Sequence, residues 1–588
     1  MSTEVAELAG SEAVARAGAA SLIEVLGHRA ATQPNERAYV FLSDRGSEEA
    51  AVTFAGLAWR VGDVAAMLAG RARPGDRMLL VFPPGIEFLV AFLGCLSAGV
   101  IAVPMMVPRR LSSRDSSESI IADCAPRFAL TNRELAITRP DITERFQNTG
   151  VEWIVLDAGI EGTEASAQRA GPLATPKRDD LAFLQYTSGS TSAPKGVMVS
   201  HGNLVANLEM TRVSHGNTQR STQANWMPHY HDMGLIFAIS QPLYCGALGV
   251  LMGPASFVRR PLVWLRAISD YRAEVAGGPN FAFDLCVSRF RADQMTGIDL
   301  TCWKIAVNGA EPIRADTIDR FAATFAPYGF DARSFYPCYG MAEATLHISG
   351  NRRGEGALTR AVSREALKRH QAAAPASGED GQLLVSSGRS LAGERIAIVD
   401  PESRLRLEPL RVGEVWVHGP HIAQGYWENS EATALTFKAR IAGEGDECWL
   451  RTGDLGFLDE GGELYITGRI KDVIIIRGVN YYPQDIEDTV QASHPALRRN
   501  AGAAFAVRDD RDEEKLVVVQ EVERAYRHAA STADIAASIR EALATEHEIG
   551  VHRIVLIRPG TIPKTTSGKI QRALTRQLWQ QGQLEILE

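Results

Sequence analysis

The chain reads Tyr186-Thr187-Ser188-Gly189-Ser190-Thr191-Ser192-Ala193-Pro194-Lys195-Gly196 where an apolar run that begins at Leu181 ends. The run predicts a strand, and the strand leads straight into a loop of hydroxyls, glycines and one lysine. Free backbone N–H groups and hydroxyls in such a loop can bind phosphate oxygens, and Lys195 can offset their charge. The Walker spacing G-x-x-x-x-G-K-[ST] is absent. Taken alone, the loop is either a phosphate site or a flexible Ser/Gly connection.

Upstream of this loop, strand-length apolar runs alternate with helical patterns. Residues 77–82 predict a strand, residues 86–97 a helix, and residues 100–103 a second strand. Such alternation is typical of βαβ units and a mostly parallel sheet. The same pattern resumes after the loop and continues to about Tyr339, so the N-terminal region is predicted to be α/β.

Downstream, the sequence pattern changes to short strand-like segments separated by Gly-rich turns. Residues 395–399, 414–418 and 463–466 predict strands of a β-rich subdomain. The polar, uneven segment 351–381 predicts a surface insertion with a short helix at residues 364–370.

The region after about Lys471 predicts a compact unit of its own. Pro483 can open a helix through Asp488, residues 503–507 and 515–520 predict strands, and residues 532–547 predict a long helix. The predicted fold is therefore α/β, with a large N-terminal domain of α/β subdomains plus a β-rich subdomain (residues 1–470) and a small mobile α+β C-terminal domain (residues 471–588).

Composition excludes several classes of protein. The 588 residues carry a net charge of −8, which gives no electrostatic footprint for nucleic acid. The seven cysteines have no C-x-x-C spacing and predict buried thiols in a reducing compartment. The first residues lack a signal peptide pattern, and the apolar stretch 88–103 is shorter than the about 20 residues of a bilayer span. We expect a cytoplasmic protein without a transmembrane segment.

Five further motifs follow the loop in order along the chain. They are Asn308-Gly309-Ala310-Glu311-Pro312, Tyr339-Gly340-Met341-Ala342-Glu343, Thr452-Gly453-Asp454, Gly468-Arg469-Ile470-Lys471-Asp472 and Pro563-Lys564-Thr565-Thr566-Ser567-Gly568-Lys569. Together with the loop, this set resembles the adenylate-forming superfamily of acyl-CoA ligases, luciferases and peptide-synthetase adenylation domains. The resemblance covers nearly the whole chain and implies ATP-dependent activation of a carboxylate.

The implied chemistry suits the residues that are present. A carboxylate nucleophile is already ionised at neutral pH, because carboxyl groups titrate near pH 4, so no general base is needed. The reaction instead needs cations and donors that bring one anion onto another and stabilise charge on phosphorus. The resemblance implies that Lys569 is the catalytic lysine, that His231 lies beside the carboxylate and α-phosphate, and that Glu343 helps to hold Mg²⁺.

The resemblance also assigns the nucleotide site. Asp454 can accept hydrogen bonds from both ribose hydroxyls, with Arg469 beside it, although Thr-Gly-Asp alone would be read as a capped turn. Tyr339 and the backbone at Gly309, Ala310 and Glu311 are expected to sandwich adenine. The full predicted set is Thr187, Ser188, Gly189, Ser190, Thr191, Lys195, Gly309, Ala310, Glu311, Tyr339, Gly340, Met341, Asp454 and Arg469.

Two other features receive roles from the same resemblance. Lys471 matches the hinge about which the small domain rotates between an adenylating and a thioester-forming pose. Gly278 and Phe281 are expected to line the acyl pocket, since glycine lets a chain approach the backbone closely. The pair His229 and His231 also allows a zinc site, which we disfavour because no further ligands lie at a recognisable spacing.

Within the superfamily, the chain resembles the fatty acyl-AMP ligases. Trp226-Met227-Pro228 with Tyr230-His231-Asp232-Met233-Gly234 is close to their pattern, as is the segment 474–487, where Val479 and Tyr481 depart from it. The long spacing from Glu343 to Gly388 leaves room for the insertion 351–381. In these ligases an insertion there packs against the N-terminal domain and restrains the rotation that CoA chemistry needs; a merely longer surface loop is the other interpretation.

The resemblance implies a fatty acid substrate, ATP and Mg²⁺. It also implies transfer of the acyl group to the phosphopantetheine thiol of a separate acyl carrier protein or polyketide or peptide synthase. The main alternative is a long- or medium-chain fatty acyl-CoA ligase of the same fold. An activator of aromatic or β-hydroxy acids is another, and a catalytically inactive relative is disfavoured because Lys569, Glu343 and Asp454 are all present.

Overall fold

The computed structural model describes most of the chain. The described residues are 18–108, 117–147, 149–156, 176–187, 194–376, 381–476, 479–508, 514–526, 531–547, 549–565 and 569–587. They form a large α/β and β-rich N-terminal part and a smaller α+β C-terminal part, as predicted.

The first α/β unit is built on a mostly parallel sheet. In the described part of the chain this sheet has six strands, in the order Glu152–Leu156, Phe128–Asn132, Arg77–Val81, Ile101–Met105, Leu181–Thr187 and Lys195–Ser200. The helix Ile86–Ser97 links two of these strands and is buried at every residue except Glu87. It packs so closely on the helix Phe54–Ala69 that a Cβ on Gly94 would lie 2.4 Å from the Val64 side chain. The predicted strand–helix–strand order is confirmed, with small differences at the ends.

The second α/β unit carries a longer sheet. Counting described residues only, it has nine strands, in the order Arg389–Ser390, His347–Gly350, Phe335–Gly340, Ile305–Asn308, Val275–Gly278, Gln223–Asn225, Gly249–Met252, Arg37–Leu42 and Glu48–Thr53. The central strands are parallel and the edge pairs antiparallel. Carboxyl ends of parallel strands meet at one edge, which is where α/β proteins place their ligands. Three predicted site segments lie at such strand ends. Gly309, Ala310 and Glu311 follow Asn308, Phe281 follows soon after Gly278, and Tyr339 and Gly340 end their own strand.

The other helices of the N-terminal part cover these sheets. Their bounds are Leu22–Thr32, Ser117–Cys124, Arg133–Thr138, Pro140–Gln147, His201–His215, Gln241–Cys245, Pro254–Arg259, Leu262–Asp270, Asn280–Ser288, Ala315–Phe325 and Ser430–Phe437, with a π-helix at Met233–Ser240. No helix among the described residues has the length and apolar character needed to cross a bilayer. All seven cysteines are free, and five of them are buried.

The β-rich subdomain is an antiparallel sheet, as the short apolar segments predict. Its strands, within the described residues, are Arg395–Val399, Gly413–His418, Leu450–Leu458 and Leu464–Arg469. The last two pair so that Asp454 lies opposite Arg469. This register brings the Thr-Gly-Asp and Gly-Arg motifs side by side.

The candidate insertion forms a hairpin, Thr359–Ser363 with Gly381–Val385, which carries the short helix Arg364–Lys368. The helix ends two residues earlier than predicted, and His370 has a positive φ of 56°. Val362 and Leu367 are buried in one cluster with Phe457 of the β-rich subdomain and Tyr482 of the C-terminal part. The hairpin therefore packs against both parts of the molecule, and not against the N-terminal part alone.

The C-terminal part is a three-stranded sheet, over the residues described, of Leu497–Arg508, Glu514–Val522 and Val551–Ile557. The helices Pro483–Ala492, Thr532–His547 and Arg572–Gln580 cover its two faces, and a small hairpin, Ile474–Ile476 with Val479–Tyr481, precedes them. The helix that Pro483 opens runs one turn beyond the predicted end, because Ile486 and Val490 share one buried face.

Candidate active site

The two ends of the predicted phosphate loop lie on adjacent strands. Thr187 closes one strand and pairs with Lys195, which opens the next in antiparallel register. The Lys195 ammonium lies 4.7 Å from the centre of the Tyr426 ring. Ser188, Gly189, Ser190 and Thr191, which we predict to bind phosphate, lie outside the described residues.

The Asp454 carboxylate is held from two sides. Its Oδ1 accepts a hydrogen bond from Arg469 Nε at 3.0 Å, and its Oδ2 accepts one from the Tyr339 hydroxyl at 2.6 Å. The side chain is buried, and its own backbone N–H donates to the Thr452 hydroxyl at 3.1 Å. Burial, together with the Asp454 charge, raises the pKa of Tyr339 well above its usual value. Each carboxylate oxygen has a second lone pair, so the group can accept further hydrogen bonds.

The loop after strand Ile305–Asn308 packs tightly against strand Phe335–Gly340. A Cβ on Gly309 would lie 2.6 Å from Cys338 Sγ, and one on Gly340 would lie 1.9 Å from the Leu346 carbonyl oxygen. Ala310 has a positive φ of 66°, a backbone conformation that a side chain disfavours. These close contacts fix the loop, in which Ala310, like Tyr339 and Met341, is partly buried and packs against the core.

Glu311 turns back from the same loop towards the helix Asn280–Ser288. Its Oε1 accepts a hydrogen bond from the Phe281 backbone N–H at 2.5 Å. Burial raises the pKa of Glu311 to about 7, while this N–H and the Lys569 charge oppose the rise.

His231 and Asp232 lie where the strand Gln223–Asn225 leads, by way of Trp226 and Pro228, into the π-helix Met233–Ser240. His231 Nδ1 lies 2.7 Å from Asp232 Oδ1. Single-turn π distortions are frequent at functional sites, and this one brings Gly234 so close to Pro228 that a Cβ would lie 1.8 Å from its carbonyl oxygen.

Glu343 is a buried carboxylate in a short 3₁₀ turn. Its Oε1 accepts a hydrogen bond from the Tyr426 hydroxyl at 2.9 Å. Burial raises the pKa of Glu343, and the Tyr426 hydroxyl acts in the opposite direction.

Lys569 enters this site from the C-terminal part. Its backbone is held against Thr565, with Thr565 N–H donating to the Lys569 carbonyl at 2.7 Å and Lys569 N–H donating to the Thr565 hydroxyl at 3.0 Å. Burial and the Arg469 charge lower the pKa of Lys569, whereas Asp232, Glu311 and Asp454 raise it. The lysine that closes the sequence motifs thus lies within electrostatic reach of carboxylates from three N-terminal motifs.

Polar contacts hold the C-terminal part in this pose. Arg499 pairs with Asp316 at 2.8 Å, and Asn500 Nδ2 donates to Asp284 Oδ2 at 2.8 Å. Arg314 also pairs with Asp488. The exposed Lys471 lies in the 3₁₀ turn Ile470–Asp472 that joins the two parts.

An apolar cavity of about 260 Å³ opens beside His231. The apolar side chains that line it include Trp226, Met227, Pro228, Met233, Val258 and Phe281. Trp226 stacks on Phe257 with ring centres 3.9 Å apart. Lys564 and Thr565 of the C-terminal part complete the wall. Of the two residues predicted for the acyl pocket, Phe281 lines this cavity, whereas Gly278 lies behind Trp226, where a Cβ would come within 3.0 Å of the indole.

The structure also reveals site residues that the motifs do not predict. Asp232 lies beside His231 and within electrostatic reach of Lys569, Tyr426 contacts both Lys195 and Glu343, and Lys564 lies at the cavity. His229 is buried against Phe88, with ring centres 4.0 Å apart, away from the pair formed by His231. Asp232 and Lys564 are neighbours of predicted residues in sequence, but Tyr426 has no such signal.

Comparison with known proteins agrees with this geometry. The model of the AMP-binding enzyme family matches residues 26–427, and the model of the Disco-interacting protein 2-like AMP domain matches residues 471–588. A medium-chain fatty acid–[acyl-carrier-protein] ligase, JamA of Moorena producens, is 41% identical over 97% of this chain and 96% of its own. The corresponding ligase TtuA of Teredinibacter turnerae is 36% identical over 95% of this chain and 93% of its own.

A solved structure is similar over the same length. The fatty acyl-adenylate ligase of Legionella pneumophila, in complex with acyl adenylate and pyrophosphate, has a TM-score of 0.73 and 38% identity. The match covers 97% of each chain.

Proposed function

The chain belongs to the AMP-binding enzyme family and, within it, to the fatty acyl-AMP ligases; from this premise we propose that it activates a medium-chain fatty acid with ATP and passes the acyl group to an acyl carrier protein. One observation carries the proposal: an apolar cavity opens beside His231, which contacts Asp232, and Asp232 is close enough to Lys569 for their charges to interact. A fatty acid in the cavity would place its carboxylate towards this cation, one of the groups that the first reaction needs.

The first reaction joins two anions. A carboxylate oxygen attacks the α-phosphorus of ATP, the new O–P bond forms, and the bond to pyrophosphate breaks. No proton moves, because the carboxylate is already ionised. We assign to Lys569 the stabilisation of charge on the carboxylate and the α-phosphate, and to His231 a contact with the same groups. Asp232 orients His231 through their 2.7 Å contact.

We assign the remaining predicted residues to the nucleotide. Asp454 and Arg469 bind the ribose, and Tyr339, Gly340 and Met341 with Gly309, Ala310 and Glu311 enclose adenine. Thr187, Lys195 and the loop between them bind the terminal phosphates. In support, Tyr339, Asp454 and Arg469 form one hydrogen-bonded group beside Lys569.

We propose that Mg²⁺ accompanies ATP and that Glu343 is its protein ligand. Mg²⁺ usually binds through one or two carboxylates together with substrate phosphates. Among the described residues, no group of three or more His, Cys, Asp or Glu is arranged to hold a metal by itself. A single buried carboxylate near the phosphate loop fits that mode of binding. The ion would neutralise charge on the phosphates.

The cavity of about 260 Å³ supports a fatty acid, because most of the side chains that line it are apolar. The names of the relatives JamA and TtuA point to a medium-chain acid.

The second reaction moves the acyl group to sulfur. The carrier's phosphopantetheine thiol attacks the acyl carbon, the C–S bond forms, AMP leaves, and the thiol proton is lost to solvent. We propose that the small domain, residues 471–588, first rotates about Lys471 and withdraws Lys569 from the site. We also propose that both reactions take place in the cytoplasm, where ATP and carrier proteins are available.

The test is turnover of radiolabelled octanoate with ATP and Mg²⁺, with and without CoA, resolved by thin-layer chromatography. We expect acyl-AMP to accumulate irrespective of CoA, and to disappear when a phosphopantetheinylated carrier protein is added. Conversion to octanoyl-CoA would instead establish the alternative, an acyl-CoA ligase, and the absence of any acyl-AMP would contradict both.

A further inference from the structure

Residues 423–427 form a bridge between the phosphate loop and Glu343. On one side they run antiparallel beside the strand Lys195–Ser200: Gln424 N–H donates to the Met198 carbonyl at 2.9 Å, and Trp427 N–H donates to the Gly196 carbonyl at 2.8 Å. On the other side, Ala423 N–H donates to the Glu343 carbonyl at 3.0 Å. This segment therefore ties together two parts of the site that are far apart in sequence.

Tyr426 is the side chain of this bridge that faces both parts. The Lys195 ammonium lies 4.7 Å from its ring centre, and its hydroxyl donates to Glu343 Oε1 at 2.9 Å. A ring face attracts a cation through its quadrupole, and a hydroxyl hydrogen bond to an ionised carboxylate is stronger than one between neutral groups. One residue thus contacts the phosphate-loop lysine and the proposed metal ligand.

The surroundings leave Tyr426 little freedom. It is 7% exposed, and its ring packs edge-on against Phe437 with ring centres 5.1 Å apart. Its backbone N–H donates to the Thr433 hydroxyl at 2.9 Å. Gly425, just before it, has a φ of 138° and lies so close to Thr433 that a Cβ would come within 2.4 Å of that side chain. The ring and hydroxyl are therefore fixed before any ligand binds.

We propose that Tyr426 is a positioning residue that couples the two ends of the triphosphate site, holding Lys195 towards the terminal phosphates and Glu343 towards Mg²⁺. The inference rests on the proposed function, because it assumes that Glu343 binds Mg²⁺ together with ATP. A lysine on four flexible carbons gains direction from a fixed ring. The Tyr426 hydroxyl fixes the rotamer of Glu343 by donating to Oε1, and the other carboxylate oxygen is left for the ion.

Two variants separate the two contacts. Tyr426→Phe keeps the ring under Lys195 and removes the bond to Glu343, whereas Tyr426→Leu removes both. Tyr244→Phe is the matched control, because it deletes another buried tyrosine hydroxyl that donates to a glutamate, Glu209, at 3.1 Å. Binding of α,β-methylene-ATP is measured by isothermal titration calorimetry over a series of Mg²⁺ concentrations, beside acyl-AMP formation.

For Tyr426→Phe we expect the Mg²⁺ concentration that gives half-maximal binding to rise about tenfold, the size expected for one hydrogen bond to a charged group. High Mg²⁺ should restore binding, and the KM for the fatty acid should not change. Tyr426→Leu should bind the analogue more weakly even at saturating Mg²⁺, because Lys195 loses its support. Tyr244→Phe should shift neither curve.

Several results would overturn the inference. One is that both Tyr426 variants bind the analogue with the same Mg²⁺ dependence as the wild type. Another is that both variants lose equal affinity for the analogue, that high Mg²⁺ does not restore it, and that the loss only follows the loss of thermal stability. A wild-type enzyme that forms no acyl-AMP would overturn the proposed function. A wild-type enzyme that forms acyl-AMP without any dependence on Mg²⁺ would overturn the coupling alone.

Discussion

The N-terminal site and the C-terminal part that delivers Lys569 are held by different kinds of interaction. In the N-terminal site, backbone packs on backbone: a Cβ on Gly340 would lie 1.9 Å from a carbonyl oxygen, and Asp454 is buried with both oxygens bonded. The C-terminal part packs on the hairpin through one buried cluster that includes Tyr482, Val362 and Leu367. Its contacts beside the site are instead polar surface pairs such as Arg499 with Asp316, whose side chains are 63% and 60% exposed.

This difference has a functional reason. Close packing cannot be deformed gradually, so it suits a nucleotide site whose geometry must stay constant. Exposed ion pairs contribute about 0–1 kcal/mol each and are easily replaced by water. The polar contacts beside the site can therefore break at little cost when the C-terminal part leaves its pose, which the proposed second reaction requires.

The largest expected effect separates the two reactions. Lys569→Ala removes the cation of the C-terminal part to which we assign the stabilisation of the carboxylate and α-phosphate. We expect acyl-AMP formation to fall by about 10²–10³-fold, as for removal of a single charge-stabilising donor, while acyl transfer from supplied acyl-AMP to a carrier protein is unchanged. Pyrophosphate release and carrier acylation are measured separately, with the exposed Lys438→Ala as control. Equal loss in both reactions would show that Lys569 stays in the site for both of them, as the N-terminal residues do.

A second change tests the cavity, whose wall both parts share. Val258 lines the cavity and is 51% exposed, so Val258→Trp should fill its mouth without disturbing the core. Loss of room for two methylenes, at about 0.8 kcal/mol each, should lower kcat/KM for dodecanoate by about tenfold. The value for hexanoate should stay the same, as measured by pyrophosphate release. Val213, equally exposed but not at this cavity, provides the control Val213→Trp, and an unchanged chain-length profile would place the acyl chain elsewhere.

A third change uses the pH dependence of stability to test whether Glu311 is buried in the N-terminal site. Burial raises the pKa of Glu311 to about 7, above the 4.5 of a free glutamate. Between these values the folded state binds more protons than the unfolded state, so stability is full below about pH 4.5 and is lost as pH rises through 7. Glu311→Gln removes this loss.

We therefore expect the thermal unfolding midpoint of Glu311→Gln to match that of the wild type near pH 5 and to exceed it increasingly towards pH 8. The gain should be on the order of 1–3 kcal/mol. The exposed Glu431→Gln serves as control, and a constant offset between pH 5 and pH 8 would contradict the assigned burial.

The smallest expected effect concerns the surface contacts between the two parts. Arg499→Ala removes one exposed pair, which is worth at most about 1 kcal/mol. Acyl-AMP formation should slow by less than about fivefold, and carrier acylation should stay the same or speed up. Stopped-flow measurement of each reaction checks this, with Asp316→Ala as the partner variant. A loss as large as that of Lys569→Ala would show that the pose is held as firmly as the nucleotide site.

The sequence motifs give candidate site residues whose local setting can be read along the chain. Lys195 begins the strand Lys195–Ser200, Asp454 lies within the strand Leu450–Leu458, and the backbone of Lys569 bonds to Thr565, four residues before it. The βαβ order and the short strands of the second half were also predictable, because the spacing of apolar residues and the position of glycine turns depend on only a few neighbouring residues. The extent of two C-terminal helices, Pro483–Ala492 and Thr532–His547, was also predicted to within about a turn.

Other features were decided only by the tertiary structure. Tyr426 meets Lys195 and Glu343 because strand pairing and a bridging segment bring distant residues together. The cavity combines Trp226, Val258, Phe281 and Lys564 from separate segments, and Gly278 lies behind its wall. Such contacts have no pattern along the chain, because they depend on how whole elements pack. The sequence by itself determined the candidate residues of the motifs, whereas the packing of distant segments decided which of them touch and added Tyr426, which no motif predicts.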